Sequence, residues 1–197
     1  MIFVAITGSI GCGKTTLAKI VSKMGYTVFD VDGWVRRIYF DRLFLDTLNN
    51  VFPGAVREGV ADKRYLRNLV FNDQQKLKQL ENLIHPFLKE NLKNVIRKNA
   101  YKNDVFFIDV ALLFEMGWDK YCDLVIVADV DYEIQKKRVM KRDNVSSEDF
   151  ERINNVQMSN KKKKEKADIV IDTNQNEYKF KLEMINVVLG LKGFLYD

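Results

Sequence analysis

Short apolar runs punctuate the chain, and helical periodicity fills the spaces between them. The runs are IFVAIT (2–7), YTVFD (26–30), DVFFIDV (104–110), DLVIVAD (123–129) and ADIVID (167–172). Each is rich in Val, Ile or Phe, and most are nearly continuous rather than alternating. That is the pattern of strands buried on both faces, as in a parallel sheet covered by helices. After the first run, Leu17, Ile20, Val21 and Met24 recur at helical spacing and Gly25 supplies a stop. Strand, glycine loop, helix and strand make a βαβ beginning. The pattern predicts an α/β fold of three layers, a five-stranded parallel sheet with helices on both faces.

Two regions stand apart. Residues 33–100 show no strong strand; helices are expected over 34–50, 63–71 and 74–98, with a turn at Phe52-Pro53-Gly54. So long a segment exceeds what one crossover helix requires, which predicts a helical insertion at the sheet's edge. Residues 132–166 are strongly charged and read as helix, a break at Asn144-Val145-Ser146, then helix again, with Ser147 at its N-terminus as the cap and Glu148 and Asp149 in its first turn. Without repeats or linkers, a single domain is expected: core 1–32, 101–131 and 167–197, insertion 33–100, and a further region 132–166.

Composition narrows the picture modestly. The chain has 197 residues, 47% hydrophobic and 30% charged, the balance of a soluble globular protein. No apolar run approaches the roughly 20 residues needed to cross a bilayer, and IFVAIT is too short for a signal peptide. Cys12 and Cys122 form no disulfide framework, which points to a reducing cytoplasm. The net charge of +5 suits nucleic acid, a membrane surface or small polyanionic substrates, and composition does not choose among them.

The stretch GSIGCGKTT does choose. Gly8-x-x-x-x-Gly13-Lys14-Thr15 matches the P-loop pattern in full, between an expected strand and an expected helix. Glycines at 8, 11 and 13 let backbone N–H groups turn inward without a Cβ to block phosphate oxygens. The next helix adds its positive end. Lys14 would reach the β- and γ-phosphates, and the Thr15 hydroxyl would complete a Mg²⁺ shell. Asp109 closes VFFID as the natural acid near that ion, directly or through water. A GTPase reading loses weight, because Leu112 stands where a glycine would follow the aspartate and Asn160-Lys161-Lys162-Lys163 is not the guanine-reading pattern.

The second strand runs into Asp30-Val31-Asp32, and period-two alternation would put both carboxylates on one side at the sheet's carboxyl edge. One could take a proton from an attacking hydroxyl; either would equally serve as a helix cap. Arg36, one turn beyond Asp32, can point the same way. His85, the one histidine, precedes Pro86, a setting commoner for a structural hydrogen bond than for a metal ligand. Arg138 and Arg142 share a helix face, fitting a mobile arginine-bearing lid or an ordinary solvated helix. The run Lys161 to Lys164 has no interleaved aromatics and reads as a solvated face.

Taken in order, GSIGCGKTT, DVD with Arg36, LENLIHP, FIDVALLFE, KRVMKRD, RINNVQMS and ADIVIDT resemble the dephospho-CoA kinase family, from Thr7 to about Thr173. The resemblance implies a P-loop kinase core with a helical CoA-binding insertion (33–100) and a lid (132–166). It implies transfer of the ATP γ-phosphoryl to the ribose 3′-hydroxyl of dephospho-CoA. Asp32 would be the base. Thr7 would lie near the phosphates, with ATP held by Gly8, Gly11, Cys12, Gly13, Lys14, Thr15 and Thr16. Arg142 would approach the transferred group, and Arg138 would cover adenine. Arg36, His85, Leu113 and Glu115 would serve the acceptor. No nucleic-acid or membrane partner is implied, and a monomer or small homo-oligomer is expected.

The chain departs from the family at three positions. Ala111 replaces a usual proline, predicting a looser turn after the third strand. Ser9 and Cys12 replace a usual glycine and serine. Cys12 is expected to contribute its backbone N–H, and its thiol to sensitise the loop to oxidation or alkylation. Other readings fit less well: shikimate as acceptor lacks any glycine pair, thymidylate lacks the residue expected after Asp41-Arg42, and nucleic-acid binding would rest on the lysine run alone.

Overall fold

The computed structural model describes residues 1–71, 73–99 and 104–196. The expected boundary at 100/101, and Asp197 at the end of the last core segment, lie outside the described residues. In chain order, β1 (Ile2–Thr7) leads through the glycine loop into α1 (Lys14–Lys23) and β2 (Val28–Asp30). The chain turns helical at once in α2 (Val31–Ile38). Asp32 therefore sits in a first helical turn, and the strand alternation expected to pair it with Asp30 does not apply.

The single helix expected over 34–50 is two, α2 and α3 (Arg42–Val51). Asp41 separates them: its extended backbone leaves the helix, and its side chain accepts the Phe44 N–H at 2.9 Å. A hairpin of β3 (Val56–Arg57) and β4 (Val60–Ala61) follows, too short for periodicity to reveal. Next come α4 (Lys63–Phe71) and α5 (Gln74–Asn99), the latter running through Pro86. Asp62 and Asp73 cap them, accepting the Tyr65 N–H at 2.8 Å and the Lys76 N–H at 3.0 Å.

The chain continues as β5 (Val105–Asp109), β6 (Leu124–Asp129), α6 (Tyr132–Asp143), α7 (Ser147–Asn155), α8 (Asn160–Glu165), β7 (Ile169–Asp172) and α9 (Glu177–Tyr196). Asn144 ends α6 in a left-handed conformation. Ser146, one residue earlier than expected, caps α7 by accepting the Asp149 N–H at 3.1 Å. The second charged helix is itself divided, because Ser159 caps a new one, α8.

Two compact units result, Met1–Asp30 with Asn99–Asp197, and Val31–Lys98. In the first, all five strands pair in parallel in the order β2-β5-β1-β6-β7, with helices around the sheet. Leu17, Ile20 and Val21 of α1 and Phe180, Met184 and Val188 of α9 pack with Val4, Ile6, Phe107 and Ile126 of the sheet. Every residue of β5 is buried, which explains its unbroken apolar run. In the second unit, Phe44, Leu45, Leu48, Leu66 and Leu80 form a separate core, with Phe44 edge-on to Tyr39 and Phe87. No helix among the described residues is long and apolar enough to cross a membrane.

Candidate active site

Because the strands are parallel, β1, β5, β6 and β7 bring Thr7, Asp109, Asp129 and Thr173 to one edge. The glycine loop leaves from that edge. A Cβ on Gly8, at φ +153°, would stand 2.8 Å from the Ala128 carbonyl oxygen, a backbone atom that cannot yield. Gly13, at φ +91°, is the N-cap of α1 and supplies no side chain to it. The helix thus begins without a cap from its N-cap side chain, the arrangement that receives an anion. Thr15 is exposed and Thr16 half-buried in that first turn.

The Lys14 ammonium donates to the carboxylate of Asp109, and both side chains are mostly buried, 12% and 7% exposed. Asp109 pairs in register with Ile6 of β1, so the acid lies on the strand beside the loop's own strand. Thr15 offers a hydroxyl and Asp109 a carboxylate, hard oxygen donors of the kind Mg²⁺ takes. No group of three or more His, Cys, Asp or Glu side chains able to hold a metal occurs among the described residues.

The segment 157–160 and α6 hold the loop in ways the sequence did not announce. The Ile10 N–H donates to Gln157 Oε1 at 2.9 Å, and Gln135 Nε2 donates to the Ile10 carbonyl at 2.7 Å. The Ser9 N–H donates to Asn160 Oδ1 at 3.4 Å. Asn160 Nδ2 also donates to Cys12 Sγ at 2.9 Å and to Asp129 Oδ1 at 3.1 Å. Cys12 is held within the loop, where its N–H donates to the Ser9 carbonyl at 3.1 Å. Its thiol is fully buried, and burial pushes its pKa up to about 11, so the reactive thiolate is scarce.

The lysine run is a solvated face at Lys161, Lys162 and Lys164, with one exception. Lys163 is fully buried. Its Nζ donates to the Ala111 carbonyl at 2.6 Å and pairs with Glu115 Oε1 at 3.2 Å. Burial lowers its pKa, and the Glu115 carboxylate pulls the other way. Lys164 pairs with Asp129 at 2.7 Å. A sequence of four lysines carries no period from which one buried member could be picked out. The Thr7 hydroxyl donates to the same Ala111 carbonyl at 3.3 Å, so the turn expected to be loose without proline is anchored at its first residue. Leu113 is fully buried.

The two arginines of α6 differ. Arg138 is half-buried and donates to Thr173 Oγ1 at 3.0 Å and to the Thr173 carbonyl at 2.8 Å. Thr173 Oγ1 in turn lies 2.9 Å from the Cys12 carbonyl, which ties Arg138 to the loop. Arg142 is exposed and forms a two-pronged pair with Asp143 at 2.8 and 2.7 Å. The remaining expected residues lie in the second unit. Asp32 and Arg36 share the α2 face by spacing, and His85 is half-buried in α5. That unit also has a cleft of about 270 Å³ lined by Trp34, Arg37, Phe87, Asn91 and Asn94 among others, which the sequence did not mark.

Comparison with known proteins identifies the family. The dephospho-CoA kinase family model matches residues 2–179. A dephospho-CoA kinase of Fusobacterium nucleatum is 34% identical over 178 residues, 89% of this chain and 91% of that one. A dephospho-CoA kinase from Campylobacter jejuni, 26% identical, superposes with a TM-score of 0.69 over 97% of this chain and 98% of that one. A crystal structure of a Thermus thermophilus protein, 30% identical, gives 0.88 over 96% of each chain. The matched span takes in the glycine loop, the second unit and the segment that braces the loop, and the chain belongs to the dephospho-CoA kinase family.

Proposed function

We propose that the protein transfers the γ-phosphoryl of ATP in line to the ribose 3′-hydroxyl of dephospho-CoA, giving CoA and ADP with no covalent enzyme intermediate. The reading rests on Lys14, the first residue of α1, lying against Asp109 at the carboxyl end of the neighbouring strand.

The N–H groups at the start of α1 would cradle the phosphates, and Lys14 would neutralise charge spreading over the γ-phosphoryl. Thr7 would support the loop from the Ala111 carbonyl. Arg142 would leave Asp143 to meet the transferred group, and Arg138 would stay beside Thr173 to flank the adenine. Asp32 would take the proton of the 3′-hydroxyl, with Arg36, His85 and Glu115 holding the acceptor. Thr15 and Asp109 would hold Mg²⁺, with phosphate oxygens and water completing its shell. When bound, the ion would neutralise charge on the β- and γ-phosphate oxygens.

Both described cysteines are free thiols, which supports a cytoplasmic setting. We further propose a monomer or small homo-oligomer. The buried Lys163 and paired Lys164 weigh against a basic stripe for nucleic acid. The test is ADP release with ATP, Mg²⁺ and a panel of dephospho-CoA, adenosine, AMP, dTMP, shikimate and no acceptor. Release with dephospho-CoA alone, with CoA formed, is expected; release with a different acceptor alone overturns the reading.

A further inference from the structure

Lys163 is the one lysine among the described residues that is fully buried, and its ammonium serves two atoms of one turn. It donates to the Ala111 carbonyl at 2.6 Å and pairs with Glu115 Oε1 at 3.2 Å. The same Glu115 oxygen accepts the Met158 N–H at 2.7 Å. The same Ala111 carbonyl accepts the Thr7 hydroxyl at 3.3 Å. Burying an ammonium is costly unless it is paired and hydrogen-bonded. An apolar side chain could fill the space, but it would leave the turn without a cation to hold its carboxylate.

We propose that Lys163 is a positioning residue for the phosphoryl acceptor: it fixes the rotamer of Glu115 and the start of the turn after β5. The proposal rests on the reading that Glu115 serves the acceptor. Asn160, three residues earlier in α8, bonds to Ser9 and Cys12 of the nucleotide loop. This six-residue helix therefore reaches the nucleotide loop with one side chain and the acceptor turn with another. Without Lys163, Glu115 keeps a single neutral donor from Met158. Its carboxylate, 22% exposed, is then free to swing toward water. A loss of position of this kind falls on the substrate that the carboxylate orients.

The test is steady-state kinetics on Lys163→Met, Lys163→Arg, Glu115→Gln and the Lys163→Met/Glu115→Gln double variant, with thermal unfolding of each. Lys163→Met is expected to raise the KM for dephospho-CoA about tenfold and leave the KM for ATP within about twofold. Lys163→Arg should restore most of the loss. The double variant should be no worse than Glu115→Gln alone. Losses that multiply, or that fall equally on ATP, overturn the proposal. If Glu115→Gln leaves the KM for dephospho-CoA unchanged, the acceptor role of Glu115 fails first, and the proposal falls with it. Should Lys163→Met not fold, Lys163→Gln carries the same comparison, since it keeps an N–H donor for Ala111 and removes the charge.

Discussion

Lys14 and Asp109 hold each other at the sheet's carboxyl edge, the first residue of α1 against the last of β5. The lysine that should meet phosphate is thus already engaged, and nucleotide must compete with a carboxylate for it. Asp109→Asn is expected to tighten ATP binding measured without divalent cation by roughly fivefold, about 1 kcal/mol. With Mg²⁺ present, the same variant should turn over more slowly. Lys14→Ala should lower kcat/KM for ATP by roughly 10²–10³. Titration calorimetry with and without chelator reads the first effect. An Asp109→Asn protein that binds ATP more weakly without metal would show that the pair does not compete with nucleotide.

Asp32 occupies the first turn of α2 and is half-buried. Replacing it by Asn keeps the shape and removes the proton acceptor. Turnover should fall by roughly 10²–10⁴ while ATP affinity stays near normal. Single-turnover kinetics would check this, and unchanged turnover would remove Asp32 from the role of base.

The two arginines should separate cleanly. Arg138→Ala loses two hydrogen bonds to Thr173 and should cost about 1–2 kcal/mol of stability. Arg142→Ala breaks only an exposed pair with Asp143 and should stay within about 0.5 kcal/mol of the parent. Its turnover should nevertheless fall by roughly 10³. Urea unfolding beside kcat distinguishes them; an active Arg142→Ala enzyme would refute the lid role.

Cysteine chemistry gives a pH test. Burial pushes the thiols of Cys12 and Cys122 up to about 11. A raised thiol pKa keeps the neutral, unreactive form below it, so alkylation should be slow at pH 7.5. Its rate should climb about tenfold per pH unit toward pH 11. Intact mass after iodoacetamide treatment measures this. Stoichiometric labelling within minutes at pH 7.5 would mean that the loop opens far more than its hydrogen bonds imply.

Much of the fold was legible locally. The apolar runs end where the strands end to within two residues at most, because burial on both faces suppresses polar residues along each strand. The glycine loop was equally plain, since close approach to the Ala128 backbone at Gly8 and the left-handed backbone at Gly13 disfavour larger residues. Local signals failed where a side chain had two uses. Asp41 looked like one polar position on a long helix, yet it caps a new one.

By itself, then, the sequence determined the strand–loop–helix opening, the parallel sheet and the position of the nucleotide loop. These depend on period, on burial and on the conformational freedom of glycine, all written within a few residues of each other. Only the tertiary structure decided which lysine of the run 161–164 is buried, that Cys12 is shielded by Asn160, and that Arg138 and Arg142 face different partners. The Lys163, Cys12 and Arg138 contacts join residues 35 or more positions apart in the chain. Arg142 instead takes its immediate neighbour. No short-range pattern encodes which distant backbone carbonyl, carboxylate or thiol will stand opposite a given side chain once the sheet has closed.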